Sequence, residues 1–477
     1  MKKKNLLGLV IVSTLSLSGC ELLGALESFN SELSAIDSEL NSIIDEAESS
    51  AKQESSTVVE SSSSESTSSE NSSTDINSDS SSDHLPTEEI VDDITFNELQ
   101  INFLELGNAT TGDSTYIKAG NTDILIDAGS KQASAETIIN FVDKYCTDGV
   151  LEYVITTHAH EDHWSGMFGK TKKEDGSSPK NFKGESVAKT GIYYYYEIDT
   201  IIDFALTNKE ITTGNNQYNY YRTARDYAIS NGAKHYTAAQ CYNNENDATR
   251  SIVLDETNNI TMDILYNLYY FEKSSDENNY SVCTMINYND HHFMFTGDLE
   301  KEGEKEMAAY YDGSSIEKTL PEVDLFKAGH HGSKTSSNDC LLSIIKPKIC
   351  CVCCCAGTTE YTFDLENTFP TQDFISRIAT YTDRVYVTNV IDEVKSRAQK
   401  ELVYTSLNGI ITISCNGTNI GVNATNNTIK LKDTDWFNGT VYVDSDNRLY
   451  KKGDKNYNYY NSTDENVTAV KRRHWPE

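Results

Sequence analysis

Residues 157–166 read Thr-His-Ala-His-Glu-Asp-His-Trp-Ser-Gly, and four of them, His158, His160, Asp162 and His163, carry side chains that can bind a metal. Imidazole nitrogen and carboxylate oxygen are ligands that Zn²⁺, Mn²⁺ and Fe²⁺ accept. The preceding residues, 151–157, are short, β-branched and largely apolar, which predicts a buried strand. The four side chains are therefore expected in the loop that follows the strand. This stretch indicates a metal-dependent hydrolase.

The pattern H-x-H-x-D-H after an apolar strand resembles the signature of the metallo-β-lactamase fold superfamily. The resemblance implies an α/β fold, a four-layer αββα sandwich with one or two metals at one edge of its paired sheets. An apolar strand that ends at Asp127 and a helical pattern over residues 134–145 fit the first half of such a fold. Asp127 resembles the family's early strand-end aspartate, which supports the metal loop without binding metal; capping of a turn is the alternative.

A second group of candidate ligands follows two later apolar strands. The segment 291–300 brings Asp298 to the end of one strand, after a glycine that allows the backbone to turn. The segment 323–337 places His330 and His331 at the end of the other. Five of the ten histidines in the chain lie in the segment 323–337 and in the first motif. Packing alone does not explain that distribution.

These later motifs point to one group within the superfamily. The run T-G-D followed by K-A-G-H-H-G-S-K-T-S-S is similar to the extracellular metallo-β-lactamase domain of the ComEC competence family, over roughly residues 98–415. No channel domain accompanies the motifs, so DNA transport is not implied. Phe369-Pro370 stands where the family often has histidine before proline, and His235 is the sole candidate for the middle-position histidine of other metallo-β-lactamases.

The ligands expected for such a site are shared between two divalent ions, Zn or Mn: His158 and His160 on one, Asp162, His163 and His330 on the other, and Asp298 between them. A water molecule between two metals loses a proton near neutral pH and becomes a nucleophile. Asp162 and His331 are the expected catalytic residues. His331 would bind metal, hold the phosphoryl oxygen or protonate the leaving group. Ser333 and Ser336 would bind phosphate or cap the loop.

Phosphodiester hydrolysis is the function that this site favours, because two metals and a bridging carboxylate suit in-line attack on a phosphodiester. The expected substrate is DNA, RNA or a wall polymer of the choline or teichoic-acid type. One alternative is hydrolysis of a carboxylic ester, lactone or lactam. Another is a non-catalytic surface protein that binds a partner. The six expected ligands argue against a non-catalytic protein, since structural zinc sites usually have four ligands.

The beginning of the chain predicts a lipoprotein signal peptide over residues 1–19. Three lysines precede an apolar run that ends in Leu-Ser-Gly-Cys20, which resembles the bacterial lipobox. We expect lipidation of Cys20 and attachment to the extracellular face of the bacterial cell membrane. Residues 20–52 have the apolar spacing of an acidic helix. Residues 53–94 are dominated by serine and acidic residues and predict a disordered linker.

Much of the formal net charge of −33 belongs to this N-terminal region. Residues 21–94 contain 19 acidic residues and one lysine, hence −18. The rest of the chain is only moderately acidic. Nucleic-acid binding would therefore need a local basic patch or bridging metals.

The folded domain is expected over residues 95–415, with a small β appendage over 416–477. Within the domain, the cysteine-rich run at 350–355 predicts a buried strand, because a free cysteine packs as a small hydrophobe. The tyrosine cluster at 193–196 is interpreted as packing rather than as a stacking surface for substrate, and a helix is expected around residues 218–231.

Overall fold

The computed structural model describes residues 89–107, 112–210, 217–359, 361–391, 394–396, 401–402, 407–449 and 467–477. The expected signal peptide, Cys20, the acidic helix and the linker up to residue 88 lie outside these residues. Among the helices of the described segments, none has both the length and the apolar character needed to cross a membrane.

Strands and helices alternate along the described chain. In chain order the strands are β1 (Ile90–Asp92), β2 (Leu99–Phe103), β3 (Thr115–Ala119), β4 (Thr122–Ile126), β5 (Val150–Thr156), β6 (Glu197–Asp203), β7 (Lys234–Thr237), β8 (Ser251–Asp255), β9 (Ile260–Ile264), β10 (Thr284–Tyr288), β11 (His291–Phe295), β12 (Leu325–Lys327), β13 (Ile349–Ala356), β14 (Val385–Val390), β15 (Val394–Ser396), β16 (Glu401–Leu402), β17 (Ile411–Cys415), β18 (Ile420–Ala424), β19 (Thr440–Val443) and β20 (Thr468–Lys471). The helices are α1 (Ser134–Val142), α2 (Glu161–Phe168), α3 (Ile192–Tyr195), α4 (Gln217–Ser230), α5 (Ala238–Asn243), α6 (Lys301–Tyr310), α7 (Asp339–Ile345), α8 (Gln372–Ile378) and α9 (Asp435–Asn438).

Two β-sheets pack face to face and carry helices on their outer faces. One sheet has the order β1-β18-β17-β2-β3-β4-β5-β6-β7 and the other β14-β13-β12-β11-β10-β9-β8. Apolar side chains of both sheets share one core, in which the rings of Phe103 and Phe295 lie 6.3 Å apart. Helices α1, α2 and α4 pack into this core, while α6, α7 and α8 form a second core with the smaller sheet. The expected αββα sandwich is confirmed.

The cysteine-rich run forms strand β13, which is buried along its whole length. Cys351 and Cys353 face the core between the sheets, and Cys350 and Cys354 face the helices, as the alternation of a strand requires. A strand covered on both faces has no polar side, which explains the continuous run of small apolar residues. Each of the ten cysteines in the described part of the chain is free.

The strands that carry the candidate ligands end at one edge of the sandwich. β4, β5 and β6 run parallel in the larger sheet, and β11, β12 and β13 run parallel in the smaller one. Asp127 follows β4, the histidine-rich loop follows β5, and Asp298 and the His330–His331 pair follow β11 and β12. Loops at the carboxyl ends of parallel strands lie side by side, so four separate motifs meet at this edge.

The sheets extend beyond the boundaries expected from the sequence. β18 lies after residue 415 but pairs with β17, and β1 lies before residue 95 and pairs with β18. Only β19 and β20 form a separate two-stranded sheet within the described part of residues 416–477. Beyond β20, the side chain of Arg473 is buried against the sandwich.

Candidate functional site

The histidine-rich segment is compact because it turns directly into α2. His158 and His160 lie in the loop after β5, whereas Asp162 and His163, which were also expected in that loop, lie at the start of α2. His158 Nε2 lies 3.0 Å from His160 Nδ1, and the ring centroids of His158 and His163 are 4.2 Å apart. Gly166 allows α2 to lie close to the end of β4, since a Cβ atom there would lie 2.4 Å from the carbonyl oxygen of Ala128. The glycine at the end of the motif therefore serves the packing that brings the imidazoles together.

Asp127 supports this loop from the end of β4. The backbone N–H and the hydroxyl of Thr157 donate to its carboxylate at 2.8 and 2.7 Å. The Nδ1 atom of His163 lies 2.7 Å from the same carboxylate. A carboxylate on one ring nitrogen fixes the orientation of an imidazole whose other nitrogen binds metal. Asp127 thus contacts the loop without joining the cluster of facing ligand atoms.

Asp298 lies at the centre of the site. Gly297 takes a φ of +55°, and the backbone N–H of Asp298 donates to the hydroxyl of Ser281 at 3.0 Å. The Oδ2 atom of Asp298 lies 3.1 Å from His163 Nε2 and 3.5 Å from His331 Nε2. Its Oδ1 atom is buried and has no hydrogen-bond partner among the described residues. One aspartate therefore connects the two motifs and keeps a free acceptor.

The two adjacent histidines after β12 occupy different environments. Both have left-handed backbone conformations, with φ of 44° at His330 and 54° at His331. His331 is fully buried, with Nε2 3.2 Å from Asp162 Oδ2 and Nδ1 2.9 Å from the carbonyl oxygen of Cys353. His330 is partly exposed, and its Nδ1 lies 3.2 Å from Glu300 Oε1. His331 thus lies within the buried cluster, and His330 lies at its mouth, with Nε2 3.9 Å from Asp298 Oδ2. The expectation that His330 is the metal ligand stays a prediction.

The charges in the cluster are strongly coupled. Burial opposes ionisation of Asp298, but the imidazoles of His163 and His331 hold the pKa of its carboxyl well below its usual range. Burial alone would lower the pKa of His331, yet the carboxylates of Asp298 and Asp113 raise it to about 10. Burial holds the pKa of His158 well below its usual range, so this ring is neutral at neutral pH. The carboxylates of the cluster are thus stabilised by positive charge close to them. The neutral imidazole of His158 has a nitrogen lone pair that can bind a metal ion.

These residues fit divalent metal ions. Four buried side chains can each bring one ligand atom within 4.8 Å of the others: Asp113, His163, Asp298 and His331. Their nitrogen and oxygen atoms are the ligands that zinc and manganese accept. The unpartnered Oδ1 of Asp298 is the kind of buried acceptor that a metal ion would satisfy.

Three contacts in the site were not expected from the sequence. Asp113 and Lys327 form a fully buried ion pair, and Asp113 Oδ1 lies 3.3 Å from His331 Nδ1. The hydroxyl of Tyr361 donates to Asp162 Oδ2 at 3.1 Å. In the sequence, Lys327 could have indicated the buried ion pair, because a lysine within an apolar strand requires a buried acid as partner.

Other residues that the sequence offered as site candidates do not join the ligand cluster. His235 Nε2 lies 2.8 Å from Asp203 Oδ1, so this histidine is engaged by an aspartate at the end of β6. Phe369 packs against both His330 and His331, with ring centroids 5.7 and 5.8 Å apart. The Ser333 hydroxyl accepts from the backbone of Thr335, which is the loop-capping role. The Ser336 hydroxyl is buried, and no described residue is its hydrogen-bond partner.

The tyrosine cluster is part of the packing. Tyr193, Tyr194 and Tyr196 are buried, and the Tyr195 and Tyr196 hydroxyls both donate to Asp143. They lie around α3, which precedes β6, whereas the metal loop lies at the carboxyl ends of the strands.

Comparison with known proteins agrees with this fold. Residues 107–173, which include Asp113, Asp127 and the histidine-rich loop, match the model of the metallo-beta-lactamase superfamily. A segment of 73 residues is 32% identical to Recombination protein 2 of Haemophilus influenzae, which is 15% of this chain and 8% of that protein. The match thus covers a small part of the relative.

Solved structures with a similar arrangement are distant in sequence. The metallo-beta-lactamase fold protein YhfI from Bacillus subtilis is 13% identical, with 48% of this chain and 70% of that chain covered and a TM-score of 0.27. Human tRNase Z, short form, is 13% identical, with 66% and 98% covered and a TM-score of 0.29. The diiron beta-hydroxylase CmlA from Streptomyces venezuelae is 11% identical, with 54% and 45% covered and a TM-score of 0.30. These likenesses are too remote to bear on substrate.

Proposed function

We propose that the chain, whose residues 107–173 match the metallo-beta-lactamase superfamily model, is a metal-dependent hydrolase of that fold and that its substrates are phosphodiesters. The observation that carries the proposal is the position of Asp298. One of its oxygens faces His163 and His331, and the other is buried without a partner among the described residues. A carboxylate shared in this way suits two metal ions set for in-line displacement at phosphorus.

The ligands divide between two half-sites: His158 and His160 would hold one ion, Asp162, His163 and His331 the other, and Asp298 both. When bound, the ions would neutralise phosphoryl oxygens and lower the pKa of an attacking water molecule. The protein's own part is to keep these donors fixed before substrate arrives. Asp127 orients His163, and the carbonyl oxygen of Cys353 orients His331.

His330 is proposed as the residue that meets the leaving group. Glu300 and Thr335 lie 3.2 and 3.1 Å from its Nδ1, which leaves Nε2 free at 3.9 Å from Asp298 Oδ2. The ring is partly exposed at the mouth of the site, where a leaving oxygen would emerge. A proton held at Nε2 would pass to that oxygen as the ester bond to phosphorus breaks.

The proposal is tested by hydrolysis of bis-p-nitrophenyl phosphate with Mn²⁺ or Zn²⁺, with nitrocefin and a lactone as alternative substrates. Asp298→Asn should lower kcat by more than the about 10- to 100-fold typical of residues that only support a ligand. His292→Gln is the matched control, since His292 lies on the strand that leads to Asp298 and contacts Asn287 instead of the site. Turnover of nitrocefin or the lactone without turnover of the phosphodiester would refute the assignment.

We also propose that the enzyme is anchored by a lipid on Cys20 to the extracellular face of the bacterial membrane. The support is the sequence of residues 1–20, which lie outside the described part of the chain. Labelled palmitate should be incorporated by cells that express the natural chain and lost in Cys20→Ala. Equal labelling of both would contradict the anchor.

A further inference from the structure

A cleft of about 650 Å³ opens beside His330. It adjoins the candidate metal centre, because two of its lining residues, Glu300 and Thr335, also contact the His330 imidazole. Its volume lies within the range of pockets that bind small molecules or segments of larger ones, about 300–1,000 Å³. A long substrate held at the metal centre would therefore pass close to this cleft.

Three lysines supply the cleft with positive charges that are not in ion pairs. Lys273, Lys301 and Lys334 line it, are exposed, and form no ion pair with another described residue. Lys301 and Lys334 are held near each other by the backbone bond from Lys301 N–H to the carbonyl oxygen of Thr335, at 2.9 Å. Their ammonium groups are thus available to an anion.

The carboxylates of the same cleft are mostly engaged by the protein. Glu300 accepts from Thr335 at 2.9 Å and from Asn278 at 3.1 Å. Asp276 accepts from the backbone N–H of Asn278 at 3.0 Å. Glu302 is paired with Lys305 at 2.9 Å, and Asp373 lies in the first turn of α8, where a negative charge is favourable. These carboxylates keep their charge, but none of them forms an ion pair with the three lysines, whose ammonium groups therefore stay open to a ligand.

We propose that this cleft binds a second phosphate group of a chain-like substrate, next to the phosphodiester that is cleaved. The inference rests on the proposed function, and it specifies the substrate class as a linear polymer of phosphodiesters rather than a small diester. The half-buried ring of Tyr269 also lines the cleft and offers an apolar surface to the groups between the phosphates. Single-stranded nucleic acid and a poly(glycerol phosphate) chain share this chemistry.

The test measures binding separately from cleavage. Fluorescence anisotropy gives the Kd of the purified protein for a labelled phosphorothioate oligonucleotide, which keeps its charges and resists hydrolysis, and for a labelled oligo(glycerol phosphate). The double variant Lys301→Ala/Lys334→Ala should raise the Kd of at least one probe about fivefold or more, because two phosphate contacts are lost. The probe that loses more affinity identifies the polymer.

The matched control is Lys183→Ala/Lys346→Ala, which removes the same charge from two exposed ion pairs outside the cleft. Its Kd values should equal those of the natural protein. Equal Kd values for the cleft variant and the natural protein would overturn the inference, and so would an equal loss in both double variants. A protein that binds the probes through these lysines but cleaves no phosphodiester would refute the proposed function alone.

The same variants separate polymer from small diester in kinetics. With an unmodified oligomer as substrate, the cleft variant should show a raised KM and an unchanged kcat. With bis-p-nitrophenyl phosphate, which has a single phosphate, its KM should match that of the natural protein. A similar rise in KM for the small diester would place the lysines at the reacting phosphate and contradict the second subsite.

Discussion

The Nδ1 atom of His163 lies 2.7 Å from Asp127 Oδ2, while its Nε2 atom lies 3.1 Å from Asp298 Oδ2. One imidazole therefore joins a supporting carboxylate on β4 to the carboxylate at the centre of the site. Because the ring is fully buried between them, its orientation is decided before any metal binds.

Asp127→Asn should weaken metal binding by about 10- to 100-fold, since the residue orients a ligand without being one. A competition titration against a chelator measures this affinity. Asp123→Asn is the control, because Asp123 is a buried carboxylate on the same strand that pairs with Lys118. Equal affinities in the Asp127 variant and the natural protein would show that His163 needs no such support.

His331→Ala and His330→Ala should have different defects. Loss of His331 should lower the bound metal measured by mass spectrometry, because its Nε2 faces Asp162 and Asp298. Loss of His330 should leave metal content unchanged and lower kcat, more for an alkyl diester than for a p-nitrophenyl diester. A p-nitrophenolate leaves without a proton, whereas an alkoxide needs one. Metal loss from the His330 variant alone would support the assignment expected from the sequence.

Glu304→Gln should change how stability depends on pH. Burial raises the pKa of Glu304 to about 7, although the N–H groups of Ser337 and Asn338 act in the opposite direction. Between its ordinary value near 4.5 and 7, the folded chain keeps a proton that the unfolded chain releases. The natural protein should therefore lose roughly 3 kcal/mol of unfolding free energy as pH rises through this window.

Urea unfolding at pH 5 and pH 8 measures that difference, and the Glu304→Gln variant should lack it. Glu302→Gln, an exposed position on the same helix, serves as the control and should behave like the natural protein. The same pH profile in all three proteins would mean that Glu304 is ionised when folded.

Arg473→Met should destabilise the fold and weaken metal binding together. The guanidinium of Arg473 is buried and donates to the carbonyl oxygens of Pro370 at 2.9 Å and Thr368 at 2.7 Å. Each buried carbonyl left without a donor costs about 1–3 kcal/mol, which predicts a loss of roughly 3 kcal/mol in unfolding free energy. The Thr368–Pro370 segment carries Phe369, which packs on His331, so the ligand loses support as well.

Arg448→Met is the comparison for this variant, because Arg448 forms an exposed ion pair with Asp364. Its unfolding free energy should stay within about 1 kcal/mol of the natural value. A metal affinity that is unchanged in a folded Arg473 variant would show that the C-terminal segment stabilises the sandwich alone.

The centre of the site could be predicted because its chemistry is concentrated in short motifs. The segment from His158 to His163 directly follows a strand and enters α2, and the T-G-D and H-H motifs also follow apolar strands. Such motifs need only local geometry to be interpreted. The roles of His330 and His331 could not be assigned in this way, since two left-handed residues in succession turn their side chains in directions that the sequence does not reveal.

The role of Asp113 and the C-terminal boundary of the sandwich could not be predicted from local sequence, because both depend on contacts between distant strands. Asp113 lies fifty positions before His163 and is brought to the site by the pairing of β3, β4 and β5. The boundary at residue 415 falls inside a hairpin, because β17 and β18 are joined by a turn that contains Asn416-Gly417. That dipeptide is a hairpin signal, but only the pairing of β17 with β2 shows that the hairpin belongs to the main sheet.

Strand β13 makes the chain a reporter of its own unfolding. Burial raises the pKa of Cys350 and Cys351 and keeps their sulfurs from reagents in solvent. A thiol-specific dye should therefore leave the run unmodified in the native state and label it in step with denaturation. In an oxidising medium, native molecules should keep these thiols reduced. Unfolded molecules should form disulfides through the five nearly adjacent cysteines and so fail to refold.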